Sequence, residues 1–166
     1  MLTLIVTDAN VLIDLALINK HDLLFLPDWS VFTTYEIFYE LRPNQRRSWQ
    51  PYIERKDLRL EEVPSDLIEA MRREVSSSLS DEDCTVLVLA EQKKAIILSG
   101  DRAIVKTYRK RGKNAHGILW LLDEHATRQS CTPTELQIFL RELMRVNEWL
   151  PIKECQQRLR SWVEEE

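Results

Sequence analysis

Five carboxylates in this sequence stand where side chains can meet. Asp8 follows the apolar run Leu2–Thr7 directly, and Asp101 comes just after Ala95–Ser99. Glu36 and Glu40 lie one turn apart on the helix expected over Tyr35–Leu41. Asp83 shares a helical face with Val86, Leu87 and Ala90, so a carboxylate stands at the mouth of an apolar stripe. Carboxylates forced together repel, and their pKa values rise unless a cation occupies the gap. All-oxygen clusters of this kind suit Mg²⁺ or Mn²⁺. Such ions favour phosphodiester hydrolysis, by activating a bound water and stabilising the leaving oxygen. Each acid also has a structural reading. Asp8 and Asp101 can cap the helices that follow them, and Ser80–Asp83 and Thr33–Glu36 have the spacing of capping boxes.

Other chemistries have less support. There is no GxGxxG and no GxxxxGK[ST]. His21, His116 and His125 have no Ser or Cys at a telling spacing, so they are expected to be structural or exposed. Cys84, Cys131 and Cys155 are odd in number and widely spaced, which suggests neither a disulfide framework nor a zinc site. A haloacid-dehalogenase-like phosphatase also sets an Asp after its first strand, but needs a second Asp where this chain has Asn10. A response-regulator receiver would need paired acids near the first strand.

The elements that must position these acids alternate. Strands are expected at Leu2–Thr7, Trp29–Thr33, Leu58–Val63 (at an edge), Ala95–Ser99 and Ala115–Ile118. Helices are expected at about Asn10–Lys20, Tyr35–Leu41, Ser65–Val75 and Ala103–Arg111, with Cys84–Ala90 inside a helix apolar on every side. Pro43–Pro51 reads as a loop and Ser76–Ser80 as a polar linker. This alternation predicts a three-layer α/β domain with a largely parallel sheet, whose site lies outside the carboxyl ends of the strands. The expected domain covers residues 1–128. Residues 129–166 read as a helical hairpin: Thr132, Pro133 and Glu135 start one helix, and Pro151 opens another with Ile152, Cys155, Leu159 and Trp162 on one side.

The chain has 166 residues, 44% of them apolar and 30% charged, which excludes a disordered chain and leaves room for one ordinary domain. No apolar run reaches the ~18 residues of a membrane helix. Leu2–Val6 is too short for a signal peptide, so a cytoplasmic protein with no membrane association is expected. With 23 basic and 27 acidic residues the net charge is −4, so nucleic acid would be met through a local patch or metal ions. Arg102, Lys106, Arg109, Lys110, Arg111 and Lys113 form one such patch beside Asp101. Arg42, Arg46 and Arg47, with Trp49 as a stacking surface, form a second past Glu40.

VTDANVLIDLAL, TTYEIFYEL, LSDEDCTVLVLA and ILSGDRAIV resemble, in order and spacing, the four acidic motifs of PIN domains. HGILWLLDE, residues 116–124, resembles the end of PIN-type toxins. The resemblance implies a PIN-like α/β/α fold with Asp8, Glu40, Asp83 and Asp101 as the catalytic acids. Asp8, Asp83 and Asp101 would be the metal ligands, and Glu40 a ligand or the group orienting the attacking water. Glu40 is preferred to Glu36 because Leu41 follows it, and Ser99 would be the hydroxyl near the last acid. It further implies Mg²⁺- or Mn²⁺-dependent RNA cleavage, in many such proteins as VapC-like toxins of type II toxin–antitoxin pairs. The partners implied are an RNA substrate, an antitoxin protein and a second copy in a homodimer. The alternative is a PIN-like module that binds RNA or protein without cleavage.

Overall fold

The computed structural model describes residues 1–164; the last two residues of the expected hairpin segment lie outside the described residues. Its elements follow the chain as β1 (Thr3–Thr7), α1 (Ala9–Leu17), a short 3₁₀ turn (His21–Leu24), β2 (Trp29–Thr34), α2 (Tyr35–Glu40), α3 (Pro43–Glu54), β3 (Leu58–Glu61) and α4 (Ser65–Glu74). Then come α5 (Asp81–Lys93), β4 (Ile96–Leu98), α6 (Arg102–Lys110), β5 (Ala115–His116), α7 (Ile118–Thr127), α8 (Pro133–Val146) and α9 (Ile152–Ser161). The five strands form one sheet in the order β3-β2-β1-β4-β5, and every neighbouring pair is parallel. The expected α/β fold with helices on both sides of the sheet is therefore found, and β3 is the edge strand the sequence predicts.

The order places the site. From β1 the chain moves outward through β2 and β3, then returns to lay β4 on the other side of β1. The switch falls between β1 and β4, where a crevice opens beyond the carboxyl ends of the strands. Asp8 N–H donates to Leu98 O at 3.0 Å, closing the two strand ends together. Thr33 Oγ1 donates to Thr7 O at 2.7 Å and ties β2 to the same edge.

α5 forms the centre of one layer, in contact with β1, β2, β4, α2, α4 and α6. Cys84 through Ala90 are all buried, as a helix surrounded by neighbours must be. Its C-terminus is closed by Lys94 in the left-handed conformation, φ 52°.

The Pro43–Pro51 reading as a loop is overturned. These residues belong to α3, which Pro43 opens at the first helical position, where a missing N–H costs nothing. Gln45 Oε1 accepts from Arg42 N–H at 3.0 Å. Trp49 is wholly buried and donates Nε1–H to Leu12 O at 3.2 Å, anchoring α3 to α1. Tertiary burial of one indole prevails over a polar composition, and the same burial removes Trp49 as a stacking surface.

α8 starts as the sequence predicts. Thr132 Oγ1 accepts from Glu135 N–H at 3.1 Å, and Glu135 Oε1 accepts from Thr132 N–H at 3.2 Å. Leu136, Phe139, Leu140 and Leu143 join the same core as the sheet. α9 turns back along α8, Gln137 Nε2 donating to Leu159 O at 3.4 Å, and Arg158 pairs with Asp123 of α7 at 2.7 Å. Cys155 and Trp162 are buried, but Ile152 is 62% exposed and leaves the expected apolar side of α9. Ile152 is the first residue of α9, at the turn, where its side chain stands open to solvent.

Candidate functional site

Asp8, at the end of β1, is 4% exposed and is the N-cap of α1. Its Oδ1 accepts from Ala9 N–H at 2.7 Å; its Oδ2 accepts from Ser99 Oγ at 2.9 Å and Asn10 Nδ2 at 3.2 Å. Three hydrogen bonds favour the charged form, yet the carboxyl is pushed up to about 6. Burial is the largest cause, and the charges of Asp83 and Asp101 add to it.

Asp101 caps α6, its Oδ1 accepting from Ala103 N–H at 2.8 Å, while Asp101 N–H donates to Ser99 Oγ at 3.0 Å. Ser99 thus links Asp8 to Asp101 through one buried hydroxyl. Asp83 forms a capping box with Ser80: Ser80 N–H donates to Asp83 Oδ2 at 2.8 Å, and Asp83 N–H to Ser80 Oγ at 3.0 Å. The capping and the chemical readings of these acids are compatible. A cap occupies one oxygen of Asp83 and of Asp101 and fixes the carboxylate, leaving the other oxygen free for a further partner.

Glu40 lies at the end of α2, exposed as a residue but with its carboxyl partly withdrawn from water, and that carboxyl is pushed up to about 7. Burial leads, followed by the charges of Asp8, Glu82 and Asp83. Glu36 is exposed on the same helix. The capping expected of Thr33 and Glu36 is overturned: Thr34 caps α2, accepting from Ile37 N–H at 3.1 Å, and Thr33 is engaged with Thr7. The fold therefore brings Asp8, Asp83, Asp101 and Glu40 into one electrostatic field. They do not form a closed cage, for among the described residues no three His, Cys, Asp or Glu are grouped as a metal site.

Two residues escape the sequence reading. Asn10 bridges the strand ends, donating to Asp8 and accepting from Gly100 N–H through Oδ1 at 2.7 Å. A Cβ at Gly100 would stand 3.2 Å from that Oδ1, so the glycine permits the close approach. The signal for Asn10 was a carboxamide two residues after Asp8 at a strand-to-helix turn. Glu82 adds charge near Glu40, but its place in a helical first turn marks it only as a helix start.

The cations divide. Arg102, Lys106, Arg109 and Lys110 line a cleft beside Ser99 and Gly100. Arg109 is engaged there by Ala115 O, at 3.0 and 2.7 Å. Arg111 pairs with Glu74 at 2.8 Å and with Glu91, and Lys113 turns to Glu91 at 3.6 Å, so neither belongs to that cleft. Arg46 donates to Leu41 O at 2.7 Å and closes the end of α2, whereas Arg47 is exposed.

His21 bonds Ser48 Oγ at 2.9 Å, and His125 bonds Ser130 Oγ and Leu23 O, each at 2.7 Å. Serine partners that spacing did not reveal are thus present, but His21 and His125 are buried in packing contacts. His116 stacks on Trp120, centroids 4.3 Å apart, and lines the cleft. The three cysteines are free thiols, raised in pKa chiefly by burial.

The family model described as a PIN domain matches residues 4–164. This chain belongs to the PIN-domain family. PIN domains are commonly nucleases and usually bind divalent metals. The fold is similar to that of PAE2754 from Pyrobaculum aerophilum, with 17% identity and a TM-score of 0.54, over 76% of this chain and 99% of that one. A PilT N-terminus domain protein from Sulfolobus solfataricus P2 aligns with 13% identity and a TM-score of 0.40, over 74% of this chain and 92% of that one. No curated protein matches the sequence. Among the described residues no helix is long and apolar enough to cross a membrane.

Proposed function

We propose that this PIN domain is a metal-dependent endoribonuclease that cleaves RNA phosphodiester bonds. The observation that carries the reading is Asp8: a buried carboxyl at the β1–β4 switch, raised by burial and by the charges of Asp83 and Asp101. A divalent cation would relieve that cost, and the donors on offer, the free oxygens of Asp83 and Asp101 and the remaining lone pair of Asp8 Oδ1, are all hard oxygens, so the residues fit Mg²⁺ or Mn²⁺. Asp8, Asp83 and Asp101 would hold the ion. When bound, it would lower the pKa of a water and stabilise the leaving oxygen.

The chain's own groups supply the rest. Glu40, near 7, can hold a proton at its carboxyl or release it around neutrality, which suits a general base or a group orienting water. Ser99 and Asn10 keep Asp8 oriented. Arg102 and Lys106 would meet the phosphates of RNA, with Arg109 a weaker contributor because its guanidinium is engaged; Arg46 and Arg47 would contact RNA on the far side of Glu40.

The finer reading is a VapC-like toxin of a type II toxin–antitoxin pair, cytoplasmic, homodimeric and held inactive by an antitoxin protein. Residues 1–128 would be the catalytic domain and 129–166 its hairpin extension. The second reading, a non-catalytic RNA- or protein-binding module, is favoured by one observation: the acids do not form a closed cage. Incubating purified protein with structured and single-stranded RNA in Mn²⁺ separates the two. Cleavage lost with EDTA and in Asp83→Asn supports the nuclease; RNA bound but uncut supports the module.

A further inference from the structure

The turn between α8 and α9 carries the indole of Trp149, 83% exposed. Exposing so large an apolar side chain forfeits the stabilisation its burial would bring, and this turn is not a loose one. Asn147 Nδ2 donates to Asp14 Oδ2 at 2.8 Å, Trp149 N–H donates to Asn147 Oδ1 at 3.0 Å, and Asn147 N–H to Leu143 O at 2.9 Å. The turn is pinned to α1, and the ring is held in the open.

Trp149 forms part of the wall of a cleft of about 940 Å³ that reaches Asn10, Ser99 and Gly100 beside the acids. It also lines a second hollow that touches Asn10 and Gly100. The α6 wall of the cleft carries Arg102, Lys106 and Lys110, and among the described residues none of these has a carboxylate partner. Of the acids lining it, Asp14 is engaged by Asn147, Asp123 is paired with Arg158, and Glu154 is exposed on α9. Unpaired cations on one side and a presented aromatic face on the other complement a polyanion with stackable rings.

We propose that the α8–α9 turn is a base-stacking arm, in which Trp149 stacks on an unpaired base of single-stranded RNA whose phosphates lie along Arg102, Lys106 and Lys110. The proposal rests on the RNA-cleaving reading of the neighbouring acids and names the form of RNA they receive. A duplex keeps its bases stacked on one another and offers Trp149 no free face, so the arm selects single strands.

The test is the affinity of an end-labelled, unstructured RNA ten-mer, read by fluorescence anisotropy in EDTA, where it stays intact. Trp149→Ala is expected to weaken binding on the order of tenfold, as loss of one base–aromatic stack does. Trp149→Phe restores most of it, and Ile152→Ser, which alters an exposed apolar residue outside the cleft lining, leaves affinity unchanged. Lys106→Ala lowers the slope of log affinity against log salt by roughly 0.7. Unchanged affinity in Trp149→Ala overturns the proposal, as does wild-type protein that sediments as a dimer dissociated by Trp149→Ala with RNA binding intact. Cleavage in Mn²⁺ separates the two readings. Trp149-dependent binding without cleavage keeps the arm and removes the nuclease. Cleavage with the same KM in Trp149→Ala keeps the nuclease and removes the arm, whereas a raised KM at unchanged kcat supports both.

Discussion

Replacing Asp8 by Asn is expected to make the protein more stable and inactive. The Asp8 carboxyl rises from an ordinary value of 3.8 to about 6 in the fold, so near neutral pH its ionised form costs about 3 kcal/mol at 1.36 kcal/mol per unit. The carboxamide avoids that cost but opposes one amide to another where Asn10 now donates, a loss of about 1 kcal/mol. The net gain is about 2 kcal/mol, or roughly 4–8 °C in Tm for a chain of this size. The sign follows from linkage. Because the folded pKa is raised, the protonated acid's contribution is fully present below about pH 4 and lost as pH rises through about 6. Urea unfolding of both proteins in EDTA should therefore show the variant ahead by about 2 kcal/mol at pH 7.5 and behind by about 1 kcal/mol at pH 3.5, where only the amide opposition is left. Adding Mn²⁺ at pH 7.5 should narrow the variant's lead, since the ion stabilises the wild type and has lost a ligand in the variant. Equal stability at pH 7.5, or a gap of the same size and sign at both pH values, would refute the claim that a desolvated charge is held at the end of β1.

Asn10→Ala leaves Gly100 N–H without its partner and Asp8 less constrained; a loss of about 1–2 kcal/mol and a fall in kcat are expected, read by urea unfolding and RNA cleavage. Trp49→Phe removes the bond to Leu12 O and part of a fully buried ring, costing about 2–3 kcal/mol in urea unfolding with RNA affinity unchanged. Burial lowers the His125 pKa below its usual 6.5, so its contribution is full above that pH and is lost as pH falls through the folded value; His125→Gln should flatten the change in urea midpoint between pH 7.5 and pH 5. Lys94→Gly relieves a left-handed residue at the end of α5 and should raise Tm by a few degrees, for about 1 kcal/mol.

Much of the fold was legible because its signals are local. Short apolar runs alternating with amphipathic stretches describe a parallel sheet, and the apolar girth of Cys84–Ala90 identifies the helix packed at its centre. The convergence of Asp8 and Asp101 also followed, since parallel strands release their next residues at one edge. α3 was not legible, because Pro43, Asn44, Gln45, Arg46 and Arg47 have the composition of a loop, and the start signal of Pro43 and Gln45 is confirmed only by the burial of Trp49 against Leu12. The start of α2 at Tyr35 agrees with the sequence, but its cap does not: Thr33 and Thr34 are equivalent as sequence, and the bond from Thr33 to Thr7 across the sheet assigns the cap to Thr34. Asn10 and Trp149 were missed for the same reason. Their partners lie across the fold, Asn10 bonding Gly100 and Trp149 standing on a turn that Asn147 pins to Asp14.

The most direct measurement is the chemistry of the ends produced when purified protein cuts a 5′-labelled RNA in Mn²⁺. Attack by a metal-activated water, with the acids as its scaffold, predicts ends without cyclic phosphate and no cutting with EDTA or in Asp101→Asn. Ends carrying a 2′,3′-cyclic phosphate, or cutting that persists in EDTA, would contradict the account.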